Sequence, residues 1–282
     1  MGRKKTGNKF TIFFLLGVCA AGLAVWMGGC DKITSKFRSL TKSRATKKER
    51  AIAPRPTPHA TSGPRLAIVL DDLGSDSGAA EAIFALREPL TLSVLPFHAH
   101  STEIAEEAKS RGYEVMLHLP MQAVGNELPE AQQLYSGMSD DELRRSVENM
   151  LKSVPTAIGV NNHEGSLATT DEKLMMELMA LLKQRGFFFI DSRTTAATVA
   201  FDSAGKAGVR RGFRNVPFLD DVQQVPAIEK QFELAIHGAK EKGAAIAIGH
   251  PHPETLQALK EMLPRAEAQG VHLVFVSELV RQ

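Results

Sequence analysis

Five separate apolar segments of this chain each run straight into a polar cluster, and that arrangement limits the fold more than any other feature of the sequence. Leu66 to Leu70 leads into Asp71 and Asp72, Tyr113 to Leu117 into His118, Ala157 to Val160 into Asn161, Asn162 and His163, Phe187 to Ile190 into Asp191, and Ala244 to Ile248 into Gly249 and His250. Short apolar runs of this kind read as buried strands. Parallel strands closed into a barrel bring their C-terminal ends to one rim, where such folds carry their active sites. The five clusters would then meet, and together they supply the carboxylates and imidazoles of a hydrolytic metal site.

The rest of the chain from Arg65 onward alternates in the same way. Strands are predicted at 66–70, 90–95, 113–118, 157–161, 186–190, 216–219, 244–248 and 271–276, and helices at 77–87, 101–111, 139–152, 171–185, 226–242 and 254–269. Ser139 with Glu142 has the spacing of a capping box, and Thr170 with Asp171 and Glu172 offers a second helix start. Repeated β-then-α order predicts a parallel sheet covered by helices. A distorted (β/α) barrel of seven or eight mostly parallel strands fits best, with an open doubly wound sheet as its competitor. The Met-rich stretch Leu174 to Met179 reads as helix core.

The N-terminus is a different material. Arg3, Lys4, Lys5 and Lys9 precede an apolar run from Phe10 to Gly29, and about 20 such residues can just span a bilayer as a helix. The run ends Met27-Gly28-Gly29-Cys30, which resembles a lipoprotein cleavage box with Met where Leu is usual; an uncleaved signal anchor is the alternative. Either tethers the following chain to a membrane through residues 10–30, and we expect an exported protein facing the periplasm or cell exterior. Residues 31–63 are rich in Lys, Arg, Ser, Thr and Pro and poor in large apolar side chains, the composition of a basic disordered linker. Residues 64–282 form the expected domain. Residues 1–63 hold 13 Lys and Arg against 2 acids, which leaves 21 against 30 in residues 64–282 and makes the folded part acidic, unlike a nucleic-acid binder. Both cysteines, Cys19 and Cys30, lie in the N-terminal segment, so no disulfide scaffold is available.

Adjacent carboxylates at a strand end, Asp71 and Asp72, point to different sides, so that one can bind a metal while its neighbour faces a substrate as a base. A lone His118 between apolar residues would be ordinary core. Asn161-Asn162-His163-Glu164-Gly165-Ser166 is poor core and poor helix material, and His250 and His252 follow another strand. Their shared position after strands is what raises them above single coincidences.

Leu70-Asp71-Asp72-Leu73-Gly74, Glu114 through Met121, Gly159 through Ser166, Phe189 through Arg193 and Ile248 through His252 together resemble the divergent polysaccharide deacetylase family, relatives of NodB-type carbohydrate esterases that remove acetyl groups from chitin and peptidoglycan. The resemblance covers residues 64–282. It implies a distorted (β/α) barrel and a divalent metal, usually zinc, held by one Asp and two His. Residue by residue it makes Asp71 the catalytic base, Asp72 a metal ligand, His118 the first metal histidine and His250 the general acid. The second metal histidine should lie at position 122, which here is Gln122; His163 from the next strand is the replacement. Asn161, Asn162, Glu164, Asp191 and Arg193 take supporting or substrate-binding places, with Glu164 or Asp191 set to fix imidazole tautomers. The expected activity is deacetylation of an envelope glycan. The alternative is a catalytically weak glycan-binding or regulatory protein on the same barrel.

Overall fold

The computed structural model describes residues 62–125 and 132–282. The expected anchor at 1–30, and the linker at 31–63 apart from its last two residues, lie outside the described residues. Within them, β1 (Arg65–Leu73), β2 (Thr91–Val94), β3 (Glu114–Met121), β4 (Gly159–Glu164), β5 (Phe188–Asp191), β6 (Arg211–Phe213), β7 (Ala244–Gly249) and β8 (His272–Val274) form one sheet. Its order is β6-β5-β4-β3-β2-β1-β7, with β8 pairing to the first residues of β1. Every ladder pairing between these strands is parallel. Helices α1 (Ser77–Phe84), α2 (Ser101–Ser110), α3 (Asp140–Ser153), α4 (Glu172–Arg185), α5 (Ala200–Ala207), α6 (Val225–Lys242) and α7 (Pro253–Ala268) cover the outside. The result is a nearly closed barrel.

The strands have two different faces, and the period of two explains both. Leu66, Ile68 and Leu70 of β1, with Val115, Leu117 and Leu119 of β3, belong to the large core between sheet and helices. Ala67, Val69, Met116, Phe188, Ile190, Ile246 and Ile248 fill the barrel interior as a separate cluster. Continuing the interior parity toward the C-terminal ends gives Asp71, His118, Asn161 and His163, and His250 follows β7 in the same phase. The apolar interior thus turns polar at one rim, in register. Gly159 belongs to this interior because a Cβ there would lie 2.4 Å from the Phe188 ring. The aromatic ring fills the barrel where the strand itself leaves room.

The structure departs locally from the sequence expectations in three places. The strand expected at 216–219 forms earlier, at Arg211–Phe213, and the following segment runs beside β7 with only scattered bonds: Asn215 N to Ile246 O at 2.9 Å, Ile246 N to Asn215 Oδ1 at 2.6 Å and Leu219 N to Ile248 O at 2.9 Å. Pro217 has no N–H to give, and the Val216 carbonyl is taken by Arg214. This irregular segment is the seam that almost closes the barrel. Helix α5 was not expected at all, because Ala200–Ala207 is short and contains Gly205; that glycine lets the Arg211 guanidinium pack against the helix where any Cβ would collide with it. Ser139 does stand at the N-terminus of α3, but its side chain makes no cap bond, and Glu142 instead accepts from Tyr135 Oη at 2.6 Å. Asp171, by contrast, caps α4 through Leu174 N at 3.1 Å.

Candidate metal centre and active-site rim

In a regular strand Asp71 and Asp72 would face opposite sides. Pairing between β1 and β2 shifts register between Leu70 and Leu73, and Asp72 takes φ 58°, a left-handed conformation uncommon for a non-glycine residue. The local twist brings both carboxylates to the same imidazole: His118 Nε2 lies 3.7 Å from Asp71 Oδ2 and 3.1 Å from Asp72 Oδ1. The expected opposition of the pair is therefore corrected to convergence. Backbone strain at a functional rim is costly unless the surroundings enforce it. Glu164 and Arg193, also at strand ends, share the left-handed conformation with φ 52° each.

Asp72, His118 and His163 form a tight triangle of donor atoms. His163 Nδ1 is 2.9 Å from Asp72 Oδ1, and His118 Nε2 and His163 Nδ1 are 3.1 Å apart. Asp72 Oδ1 is buried yet has no hydrogen bond of acceptable geometry. Four-coordinate zinc, with bonds of about 2.0–2.2 Å, would separate its ligand atoms by roughly 3.3–3.5 Å. Three lone-pair atoms set almost that far apart, one of them orphaned, fit a divalent cation. The electrostatics agree in direction. Burial acts to raise the Asp72 carboxyl, but the His118 and His163 imidazoles beside it outweigh it and hold the group well below the usual carboxylate range. Burial likewise works against a charged His118, yet Asp71 and Asp72 overcome it and push the imidazole up.

Asn161 ties the triangle to the candidate base. Fully buried, its Oδ1 accepts from Ser93 Oγ at 2.5 Å and from His118 Nδ1 at 2.9 Å, while its Nδ2 donates to Asp71 Oδ1 at 2.8 Å and to Ser192 Oγ at 3.2 Å. The amide turns its Nδ2 to the Asp71 carboxyl, whose pKa burial raises against the pull of His118 and His250. With Nδ1–H engaged, His118 presents Nε2 to the triangle. This is the task the sequence reading gave to Glu164 or Asp191. Asp191 instead faces outward and accepts from Arg193 N at 2.8 Å, Thr198 Oγ1 at 3.0 Å and Phe201 N at 3.3 Å, which shapes the loop into α5. Burial raises its carboxyl, against those donors.

The remaining expected residues are placed as follows. Asn162 Oδ1 accepts from Ser192 N at 2.9 Å and its Nδ2 donates to the Glu164 carbonyl at 2.8 Å, so it pins the end of β4 to that of β5. The Glu164 carbonyl also receives Thr194 Oγ1 at 2.8 Å. The Arg193 guanidinium lies 3.5 Å from the Phe213 ring centroid. Gln122 Oε1 accepts from Ser136 N at 3.1 Å and holds the loop before α3. His163, not position 122, completes the triangle.

His250 sits across from it, Nε2 3.9 Å from Asp72 Oδ2. Its partner is Asp220, which the sequence reading passed over. Asp220 Oδ1 receives His250 Nδ1 at 2.9 Å, and Oδ2 receives His250 N at 2.6 Å and Thr255 Oγ1 at 2.8 Å. Burial would lower the imidazole, but the Asp220 hydrogen bond and the charges of Asp71, Asp220 and Asp72 push it up to about 9. A signal existed: Val216 to Leu219 running into Asp220 repeats the pattern of the five segments. Ser93, Ser192 and Thr255 were also missed, as single hydroxyls carry no spacing signature. Arg214 was missed too, and its guanidinium bonds the carbonyls of Ser192, Arg193 and Val216.

Barrel and rim together define a hydrolase-like (β/α) protein with a donor set for a divalent cation. A profile of the divergent polysaccharide deacetylase family matches residues 68–280, and the chain belongs to that family. A Haemophilus influenzae protein, described as uncharacterized, is 39% identical over 217 residues, 77% of this chain and 77% of that one. Escherichia coli YibQ, also described as uncharacterized, is 38% identical over 199 residues, 71% of this chain and 62% of YibQ. The chain thus spans less than two thirds of YibQ. Among solved structures, the uncharacterized protein ATU2773 of Agrobacterium tumefaciens superposes with a TM-score of 0.75 at 22% identity, over 80% of this chain and 93% of that one. A mutant of BA3943, described as a CE4 family pseudoenzyme of Bacillus anthracis, gives 0.50 at 13% identity, over 79% and 71%. These two show the shared fold.

Proposed function

We propose that the chain is a membrane-tethered, metal-dependent deacetylase of envelope polysaccharide, acting on peptidoglycan or a related N-acetylated glycan. The observation that carries this is the buried, bond-free Asp72 Oδ1 facing two imidazole nitrogens. Asp72, His118 and His163 would hold a divalent ion, zinc being the usual choice for such a donor set. When bound, it supplies a Lewis acid for the acetyl carbonyl and lowers the pKa of water. Asp71, one oxygen held by Asn161, offers the other to take the proton of the attacking water as its oxygen bonds to the acetyl carbon. As the C–N bond breaks, His250 gives its Nε2 proton to the departing amine, and Asp220 keeps that imidazole oriented and charged. Acetate and a free amino sugar result.

The tether rests on the apolar run from Phe10 and on Cys30, and we place the domain outside the cytoplasm on the same grounds. Among the described residues no helix is long and apolar enough to cross a membrane. Flotation of the full-length chain with membranes, lost on removal of residues 1–30, tests it; recovery of the full chain in the soluble cytoplasm would reject it.

Gln122 favours a second reading, a glycan-binding protein without turnover. Metal analysis of the purified chain with acetate release from peptidoglycan fragments separates the two. A metal-loaded chain that binds glycan and releases no acetate from any acetylated glycan establishes the second.

A further inference from the structure

The seam between β6 and β7 has chemistry of its own, away from the rim. A cavity of about 370 Å³ opens there, with Phe213, Ile246 and Leu279 as apolar walls and Arg211, Lys242 and Arg281 as its cations; no Asp or Glu lines it. Arg211 is committed to the Phe201 carbonyl at 2.7 Å, whereas Lys242 and Arg281 are exposed. An apolar hollow with cations beside it suits an anion that carries an apolar body.

The cavity lies on the basic half of a polarised domain. In a parallel barrel the helices begin at the strand C-terminal rim and end at the opposite one. First turns carry Glu103, Asp140, Asp141, Glu142, Glu172, Asp202 and Glu254, and last turns carry Lys109, Lys152, Lys183, Arg185, Lys206, Lys240, Lys242 and Arg265 against Glu107, Glu241 and Glu267. Helix dipoles favour both choices, but their sum gives an acidic domain a basic end facing away from its site. The described N-terminal residues join at that same end: His272 N donates to the Pro64 carbonyl at 2.8 Å, directly before β1.

Resting on the tethered reading above, we propose that this basic end, with the seam cavity in it, meets the anionic phospholipid head groups of the membrane. Lys242 and Arg281 take the phosphates, the apolar walls take the adjoining ester region, and the acidic rim faces away from the bilayer toward glycan. An acidic protein would meet the same charges; the lipid is favoured because the chain enters the domain at this end.

The test uses the full-length chain in vesicles of phosphatidylcholine, alone or mixed with phosphatidylglycerol, with amine labelling of Lys240 and Lys242 compared with that of Lys173 near the site rim. Labelling of the basal pair should slow several-fold in anionic vesicles while Lys173 is unchanged. The protection should vanish at about 1 M salt, where screening acts within about 3 Å. A Lys242→Glu, Arg281→Glu chain should still fold and float, with Lys240 no longer protected. Flotation with equal labelling in both vesicle types overturns the basal surface alone, whereas failure to float with any vesicle rejects the tether. Protection reproduced by free glycerol phosphate in neutral vesicles, or appearing only with an added acidic protein, also overturns the lipid assignment.

Discussion

The rim holds two clusters of identical composition, each one Asp and two His, and they behave in opposite ways. In Asp72, His118 and His163 three donor atoms point at one another across 2.9 to 3.1 Å with an oxygen left unbonded. In Asp220, His250 and His252 both carboxylate oxygens are already engaged, by two N–H groups and a hydroxyl, and His252 turns to Gln223 at 3.0 Å. Residue types alone would mark both as metal sites. On the proposed reading, accounting for lone pairs gives the cation to the first and leaves the second as a carboxylate–imidazole pair for moving a proton.

The sharpest way to break this comparison is to remove a donor from each cluster. Loss of an outer hydrogen-bond partner typically costs 10- to 100-fold in metal affinity, so loss of a direct ligand should exceed that. His163→Ala, His118→Ala and Asp72→Ala should therefore lose the ion in a chelator competition, while His252→Ala keeps it. Retention by all three, or loss in the His252 variant, would exchange the roles of the clusters.

Proton transfer comes next in size. Asp71→Asn and His250→Ala should each lower turnover by about 10²- to 10⁴-fold with the metal retained. Asp220→Asn sharpens this further. His250 must be protonated to act as an acid, and Asp220 is the leading influence raising it toward about 9. Removing that charge lowers the imidazole pKa, so the alkaline limb of the pH–rate profile should move to lower pH. An unmoved limb would detach Asp220 from His250.

Smaller still is the effect of Asn161, which touches no substrate and acts through its neighbours. Asn161→Leu should weaken metal binding by about 10- to 100-fold, as for other partners of ligating histidines. It should also disturb the Nδ1–H tautomer of His118, readable from ¹⁵N imidazole shifts, a signature that loss of packing alone does not produce. Unchanged shifts would reduce Asn161 to a core residue.

The barrel and most of the rim were legible because strand-end polar clusters follow buried runs, and period two then fixes which side chains face inward. The convergence of Asp71 and Asp72 was not, since a bulge and one left-handed φ reverse the alternation without changing a residue. Nor was the tautomer partner: Asp191 has the right chemistry, but its parity with Phe189 turns it outward, while Asn161 has the inward phase. Asp220 was within reach, because it directly follows the expected strand at 216–219, although that segment folds as an irregular seam.

Another buried acid, at the opposite end of the barrel, gives the smallest effect and the control for the whole comparison. Glu114 Oε1 accepts from Thr91 Oγ1 at 3.0 Å and Ser277 N at 3.1 Å, and Thr91 Oγ1 in turn receives Val276 N at 3.0 Å. This carboxylate is satisfied, and it fastens the C-terminal turn to β2 and β3. Burial raises its pKa, against the hydrogen bonds from Ser277 and Thr91. A carboxyl raised on folding favours its protonated form there, so its contribution is fullest below the unfolded value of 4.5 and declines as pH rises through the folded value. Glu114→Gln keeps an acceptor oxygen without the charge. It should therefore shift stability at pH 7 by no more than about 1 kcal/mol, the net worth of one hydrogen bond, and flatten the fall of the melting temperature with rising pH. Metal content and turnover should not change; a loss of either would mean that satisfied acids at the far end also serve the site.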